Sequence, residues 1–234
     1  MNATAIPLEE RIIFALDVAD PRQAQALIDR VSDHIRFFKV GMQLFFAGGW
    51  PVVDYIVGKG CKVMLDLKLY DIPATVKLAV RQFAGRGISL TTVHGYGPVV
   101  EAALEAETGI QILAVTVLTS FGNEQISELQ FQGSVEDLVL HRARTVLGLG
   151  CHGVVCSAQE SALLREQLGQ EFVMVTPGIR PSGANLNDQQ RVATPGRAIA
   201  DGADYLVIGR PIRDASDPKS CIAAIQREIA LALA

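Results

Sequence analysis

Ile12-Ile13-Phe14-Ala15-Leu16-Asp17-Val18-Ala19-Asp20-Pro21 reads as a buried strand that hands over directly to a helix. The five-residue apolar run suits a parallel strand covered on both faces. Asp20-Pro21 is a helix start, with proline in the first turn. An open doubly wound sheet usually carries a GxGxxG turn after its first strand. Val18-Ala19-Asp20 holds no glycine, so this stretch favours a strand–helix unit of a closed barrel.

Working outward, seven more runs repeat the pattern: Phe37–Val40, Val63–Leu69, Leu90–Val93, Ile112–Leu118, Gly153–Cys156, Phe172–Thr176 and Tyr205–Ile208. Helical spacings separate them over Pro21–Val31, Gly49–Lys59, Pro73–Gly87, Pro98–Glu107, Val135–Leu149, Ser161–Leu168, Thr194–Asp201 and Pro218–Leu233. Ile222, Ile225, Ile229 and Leu233 mark one helical face in the last. Alternation of this kind implies βαβ units and a parallel sheet. Eight units predict a single α/β domain over residues 1–234, a (β/α)8 TIM barrel. Two connections exceed simple turns. They run from Thr119 to about Ser134 and from Pro177 to about Ala193, each after a strand's C-terminal end, where barrel sites are built. Pro177-Gly178-Ile179-Arg180-Pro181-Ser182-Gly183 reads as part of a lid.

Composition narrows the function classes. Of 234 residues, 49% are apolar and 20% charged, which suits a large core and excludes a disordered chain. The 21 basic and 25 acidic residues leave a net charge of -4, which argues against nucleic acid as a partner. The start carries no basic region followed by an apolar run, and the most apolar stretch, Val40 to Val57, is interrupted by Gly48, Gly49, Pro51 and Asp54. The expectation is a cytoplasmic protein with no membrane span. Cys61, Cys151, Cys156 and Cys221 show no CxxC spacing and read as reduced packing thiols. His34, His141 and His152 read as surface or packing residues, and His94, at a strand end, has no evident acid–base partner.

Charges stand where a core strand should be apolar. In Val63-Met64-Leu65-Asp66-Leu67-Lys68-Leu69-Tyr70-Asp71 the period of two puts Asp66 and Lys68 on one face and the leucines on the other. Buried pairs stabilise weakly, so stability explains them poorly. An incidental ion pair at a solvated strand end is the plain alternative. The neighbouring strands weigh against it: Asp17 ends the first, Lys39 the second, and Asp71 opens the next helix. Carboxylates on either side favour the ammonium form of a lysine between them. Such a lysine suits proton donation or a fixed positive charge, not Schiff-base chemistry.

The opposite side reads as an anion site. Barrels often bind phosphate with the loops after strands seven and eight. Gly209 allows close backbone approach and Arg210 bidentate contact. Arg180 and Gln189 lie in the other loop, although a solvated position is the ordinary reading for Gln189 alone.

Asp66-Leu67-Lys68-Leu69-Tyr70-Asp71-Ile72-Pro73 resembles the DxKxxDIP signature of the orotidine 5'-phosphate decarboxylase family. The resemblance extends to Ala15-Leu16-Asp17, Phe38-Lys39-Val40-Gly41, Thr116-Val117-Leu118-Thr119-Ser120, Thr176 to Pro181 and Ile208 to Pro211, and so spans the chain. It implies decarboxylation of orotidine 5'-monophosphate to UMP, with no metal or organic cofactor. It implies Lys68 as donor of a proton to C6 within an array of Lys39, Asp66, Lys68 and Asp71. It further implies ribose contact from Asp17, ring contact from Thr119, and phosphate contact from Arg180, Gln189, Gly209 and Arg210. It implies a homodimer in which Asp71 and Thr75 reach the neighbouring site.

Three alternatives stay open at the level of sequence. A related phosphosugar barrel (a hexulose-phosphate synthase or a ketogulonate-phosphate decarboxylase) would use a metal and typically an acidic residue at the place of Lys39. A Schiff-base aldolase is a weaker rival. A catalytically silent nucleotide-binding barrel would be expected to lack part of the charge array.

Overall fold

A computed structural model of the chain describes residues 6–122, 126, 130–181 and 192–234. Eight parallel strands close into a barrel in sequence order: β1 Ile12–Ala15, β2 Phe37–Gly41, β3 Lys62–Leu69, β4 Ile88–His94, β5 Gln111–Val115, β6 Gly153–Val155, β7 Val173–Thr176 and β8 Tyr205–Ile208. β1 closes the ring on β8, with Ile13 beside Val207. The expected (β/α)8 architecture is what forms.

Alternation along each strand divides the core in two. Ile13 and Ala15 of β1, Phe37 of β2, Met64 of β3, Leu90 of β4 and their counterparts on β5 to β8 fill the barrel interior. The intervening residues, among them Phe14, Phe38, Val40, Leu65 and Val93, face the surrounding helices in a larger second cluster. Each fully buried Ile, Leu or Phe contributes roughly 1.5–3 kcal/mol relative to exposure.

The helices begin where the local chemistry tells them to. The Asp20 carboxylate accepts from the Arg22 N–H and caps α1 Pro21–Val31. α1 then buries Ala24, Ile28 and Val31 on one face. The remaining helices among the described residues are α2 Met42–Gly48, α3 Trp50–Gly58, α4 Pro73–Arg81, α5 Gly97–Leu104, α6 Val135–Gly148, α7 Ala158–Leu168, α8 Pro195–Ala200, α9 Arg210–Arg213 and α10 Pro218–Leu233. None is long and apolar enough to cross a membrane.

Several boundaries differ from the periodic reading. α2 was not expected, and Gly49 separates it from α3 with a left-handed φ of 56°. α4 stops at Arg81 rather than Gly87, and Gly85 and Gly87 beyond it have φ of 73° and 71°. α7 starts three residues before the expected Ser161, because Ser157 and Glu160 form a reciprocal capping box. β5 ends at Val115, and Thr116 turns its N–H to the Val155 carbonyl. On α10 the buried face is Ile222, Ile225 and Ile229, while Leu233 is exposed.

Candidate active site

The apolar filling of the barrel gives way to polar residues at the C-terminal ends of the strands. A cavity of about 510 Å³ opens there. Ala15, Met64, Val115, Val155 and Val207 from the interior core form part of its lining.

One wall carries alternating charge. The Lys39 Nζ lies 2.9 Å from Asp17 Oδ1 and 3.6 Å from Asp66 Oδ2. The Lys68 Nζ lies 2.8 Å from the same Asp66 oxygen. One carboxylate oxygen thus serves two ammonium groups, and the other accepts the Thr92 hydroxyl at 2.8 Å. Burial is the largest influence on Asp66 and would raise its pKa. The charges of Lys39 and Lys68, with hydrogen bonds from Lys68 and Thr92, outweigh burial and hold the carboxyl below its ordinary value. Burial likewise pulls Lys39 down, but Asp66 and Asp17 together hold it above its ordinary value. Both groups are therefore charged at neutral pH.

Backbone geometry lets these side chains share one space. Lys39 follows Phe37 on the inward face of β2, and a Cβ on Gly41 would come within 3.0 Å of the Lys39 Nζ. On β3 the ladder to β4 slips: Leu65 pairs with Thr91 and Leu69 with Val93. Lys68 sits in that slip with a φ of 48°, rare for a residue with a side chain. The inward alternation of Asp66 and Lys68 survives, but through a bulge that the sequence period does not reveal.

The part of the wall supplied by the segments after β7 and β8 is basic. Gly209 precedes α9, Arg210 begins it, and both line the cavity together with the buried Arg180. The Arg180 N–H donates to the Ala193 carbonyl at 2.9 Å, and Ile179 and Ala193 form a parallel bridge. The two stems of the long loop after β7 are therefore joined.

A match to the family described as "Orotidine 5'-phosphate decarboxylase / HUMPS family" covers residues 10–225. The chain belongs to this family. It is 48% identical over 234 residues to the orotidine 5'-phosphate decarboxylase of Rhodopseudomonas palustris, covering 99% of each chain. It is 49% identical to that of Afipia carboxidovorans, over 99% of this chain and 100% of the relative. The crystal structure of orotidine 5'-phosphate decarboxylase from Lactobacillus acidophilus superposes with a TM-score of 0.83 at 36% identity, over 94% of this chain and 99% of that one.

Against the family pattern, the structure brings together Asp17, Lys39, Asp66, Lys68, Thr119, Arg180, Gly209 and Arg210 around one cavity. Asp71 and Thr75 are not among its lining residues; both are exposed at the start of α4, where Asp71 accepts from the Ile72 N–H. Gln189 lies outside the described residues. His94 lines a neighbouring cavity of about 280 Å³ with Tyr70, Tyr96 and Arg142, and its ring meets Tyr70 at 5.3 Å.

Sequence reading missed Gln43, Cys156 and Arg213, which also line the main cavity. Gln43 sits on the unexpected α2. Cys156, read as packing, is both buried and part of the wall. Arg213 is returned to the mouth by the single turn of α9, and its Nη1 donates to the Asp17 carbonyl at 2.9 Å. An arginine three residues after Arg210 was the available signal.

Proposed function

We infer that the protein removes CO2 from orotidine 5'-monophosphate to give UMP, in pyrimidine biosynthesis. The observation that carries this reading is the pairing, in one cavity, of an alternating Lys–Asp wall with a basic end containing Arg210. The phosphate binds at Gly209, Arg210, Arg180 and Gln189. Asp17 contacts the ribose and Thr119 the pyrimidine. Departure of CO2 leaves an electron pair on C6. The Lys68 ammonium offsets that charge and then delivers its proton to the pair, so that C6–H replaces the broken C6–CO2 bond. Phosphate contacts distant from C6 help close the loop after β7, so remote binding energy assists the chemical step.

The reaction needs no metal or organic cofactor. Lys39 and Lys68 already compensate the Asp66 carboxylate, leaving it a poor ligand for a divalent cation. The positive charge of Lys39 also disfavours the metal-using phosphosugar chemistry. Incubating orotidine 5'-monophosphate with purified protein, with and without EDTA, tests substrate and metal independence together. Equal loss of substrate absorbance in both arms is expected. No loss would refute the reaction, and loss abolished by EDTA would refute its metal independence. Lys68→Ala should remain folded and lose turnover; near-normal turnover would exclude Lys68 as proton donor.

The chain acts as one catalytic domain and as a homodimer, with Asp71 and Thr75 completing the neighbour's site. Tyr70 and Ile72, 65% and 70% exposed, flank Asp71 and give that edge an apolar character suited to a second copy. Mixing inactive Lys68→Ala and Asp71→Ala subunits should restore part of the activity. With subunit exchange demonstrated, no recovery would rule out a shared site. A cytoplasmic setting agrees with Cys61, Cys151, Cys156 and Cys221 all being free thiols.

A further inference from the structure

Thr92 lies on β4 two residues after Leu90, an interior residue, and is fully buried. It is not among the residues lining the cavity. Its surroundings nevertheless meet the charge array twice. Between the paired positions Leu65/Thr91 and Leu69/Val93, β3 inserts Asp66, Leu67 and Lys68 opposite Thr92 alone. Inside this bulge the Lys68 N–H donates to Thr92 Oγ1 at 3.0 Å. The same hydroxyl donates to Asp66 Oδ1 at 2.8 Å.

The direction of both bonds is forced. A backbone N–H can only donate, and an ionised carboxylate can only accept. A single hydroxyl is the smallest group that accepts from one and donates to the other. A left-handed φ at a lysine is strained and persists only where neighbours hold it. The two bonds hold the turn between the carboxylate and the ammonium, while Asp66 Oδ2 is left to Lys68 and Lys39.

We propose that Thr92 is a positioning residue for decarboxylation, fixing the Asp66 carboxylate and the bulged Lys68 backbone so that the Lys68 ammonium points into the cavity. This rests on the decarboxylase reading of the same site. Thr92 touches no substrate in this scheme; it acts through Asp66 and Lys68.

Thr92→Val keeps the shape and removes the hydroxyl. Its kcat should fall ~10- to 100-fold, as for a reacting group displaced by about 1 Å. Its Kd for UMP should stay within about twofold, since the phosphate and ribose contacts are intact. Thr92→Ser should recover most of kcat. Unchanged kcat in Thr92→Val would overturn the proposal. So would kcat and UMP affinity falling together without rescue by serine. Should the valine variant not fold, Thr92→Ala and Thr92→Ser carry the same comparison, and equal kcat in those two would overturn it. Wild-type protein assayed in parallel separates the two readings: no turnover by wild type refutes the decarboxylase, whatever Thr92 does. In that event the crystal structure of Thr92→Ala decides. Lys68 at negative φ and withdrawn from Asp66 supports positioning, and unchanged geometry refutes it.

Discussion

Gly41 shows how little room the charge array has. A methyl there would meet the Lys39 Nζ at 3.0 Å and Asp17 Oδ1 at 3.5 Å. The ammonium cannot swing aside without leaving one of its two carboxylates. Gly41→Ala is therefore expected to cut turnover while leaving the melting temperature within a few degrees; wild-type turnover would show that the ammonium has slack. Asp66 gives a prediction in pH. Its folded pKa lies below the ordinary 3.8, so its contribution to stability is complete above that value and is lost as pH falls through the folded pKa. Urea denaturation of wild type and Asp66→Asn should differ by a constant amount from pH 7 to about 4 and converge only at lower pH. Convergence already near pH 6 would contradict a depressed pKa. Lys39, Asp66 and Lys68 were legible at this scale because charges in apolar strands stand out, and Asp17 because it closes the apolar run, two residues beyond β1. Thr92 was not, since a threonine is ordinary in a strand and its two bonds arise only from a slip in register.

At the scale of elements, a second buried ion pair does structural work away from the cavity. Arg165 of α7 lies 2.8 Å from Asp204, just before β8, and also donates to the carbonyls of Gly202 and Phe172. Asp204 in turn accepts from the Met174 N–H of β7. This network ties one helix to two strands. Arg165→Ala removes the nearest cation from the buried Asp204 carboxylate, leaving it the more remote Arg11, and should cost about 3 kcal/mol, read by chemical denaturation. A loss below about 1 kcal/mol would mean that water replaces the guanidinium. Strand order was legible because both faces of a parallel strand are buried, so each apolar run is continuous. Helix α2 escaped notice because it follows β2 with no intervening turn and merges with an apolar stretch. The early start of α7 was available in Ser157-Ala158-Gln159-Glu160, a capping-box spacing.

For the whole molecule, a negative net charge coexists with basic groups gathered at one end of the barrel. Arg210→Ala should weaken phosphate-bearing ligands by about 1.5–3 kcal/mol and leave the affinity of the matching nucleoside unchanged, measured by calorimetry. Equal weakening of both would move the phosphate elsewhere. Ile72→Glu, at the apolar edge beside Asp71, should shift sedimentation toward monomer and lower activity most at low protein concentration. A closed barrel was legible from the chain as a whole, because eight apolar runs alternate with helical spacings and none is followed by a dinucleotide-type glycine turn. The bridge between Ile179 and Ala193 has a further consequence. It joins the chain just before and just after the intervening segment, so a change in that segment's length need not shift the strands. Closing a loop costs only about 0.6 kcal/mol more for each doubling of length. Insertions or deletions there should therefore leave the barrel folded, as read by thermal denaturation, while weakening phosphate-bearing ligands, because Gln189 belongs to that segment.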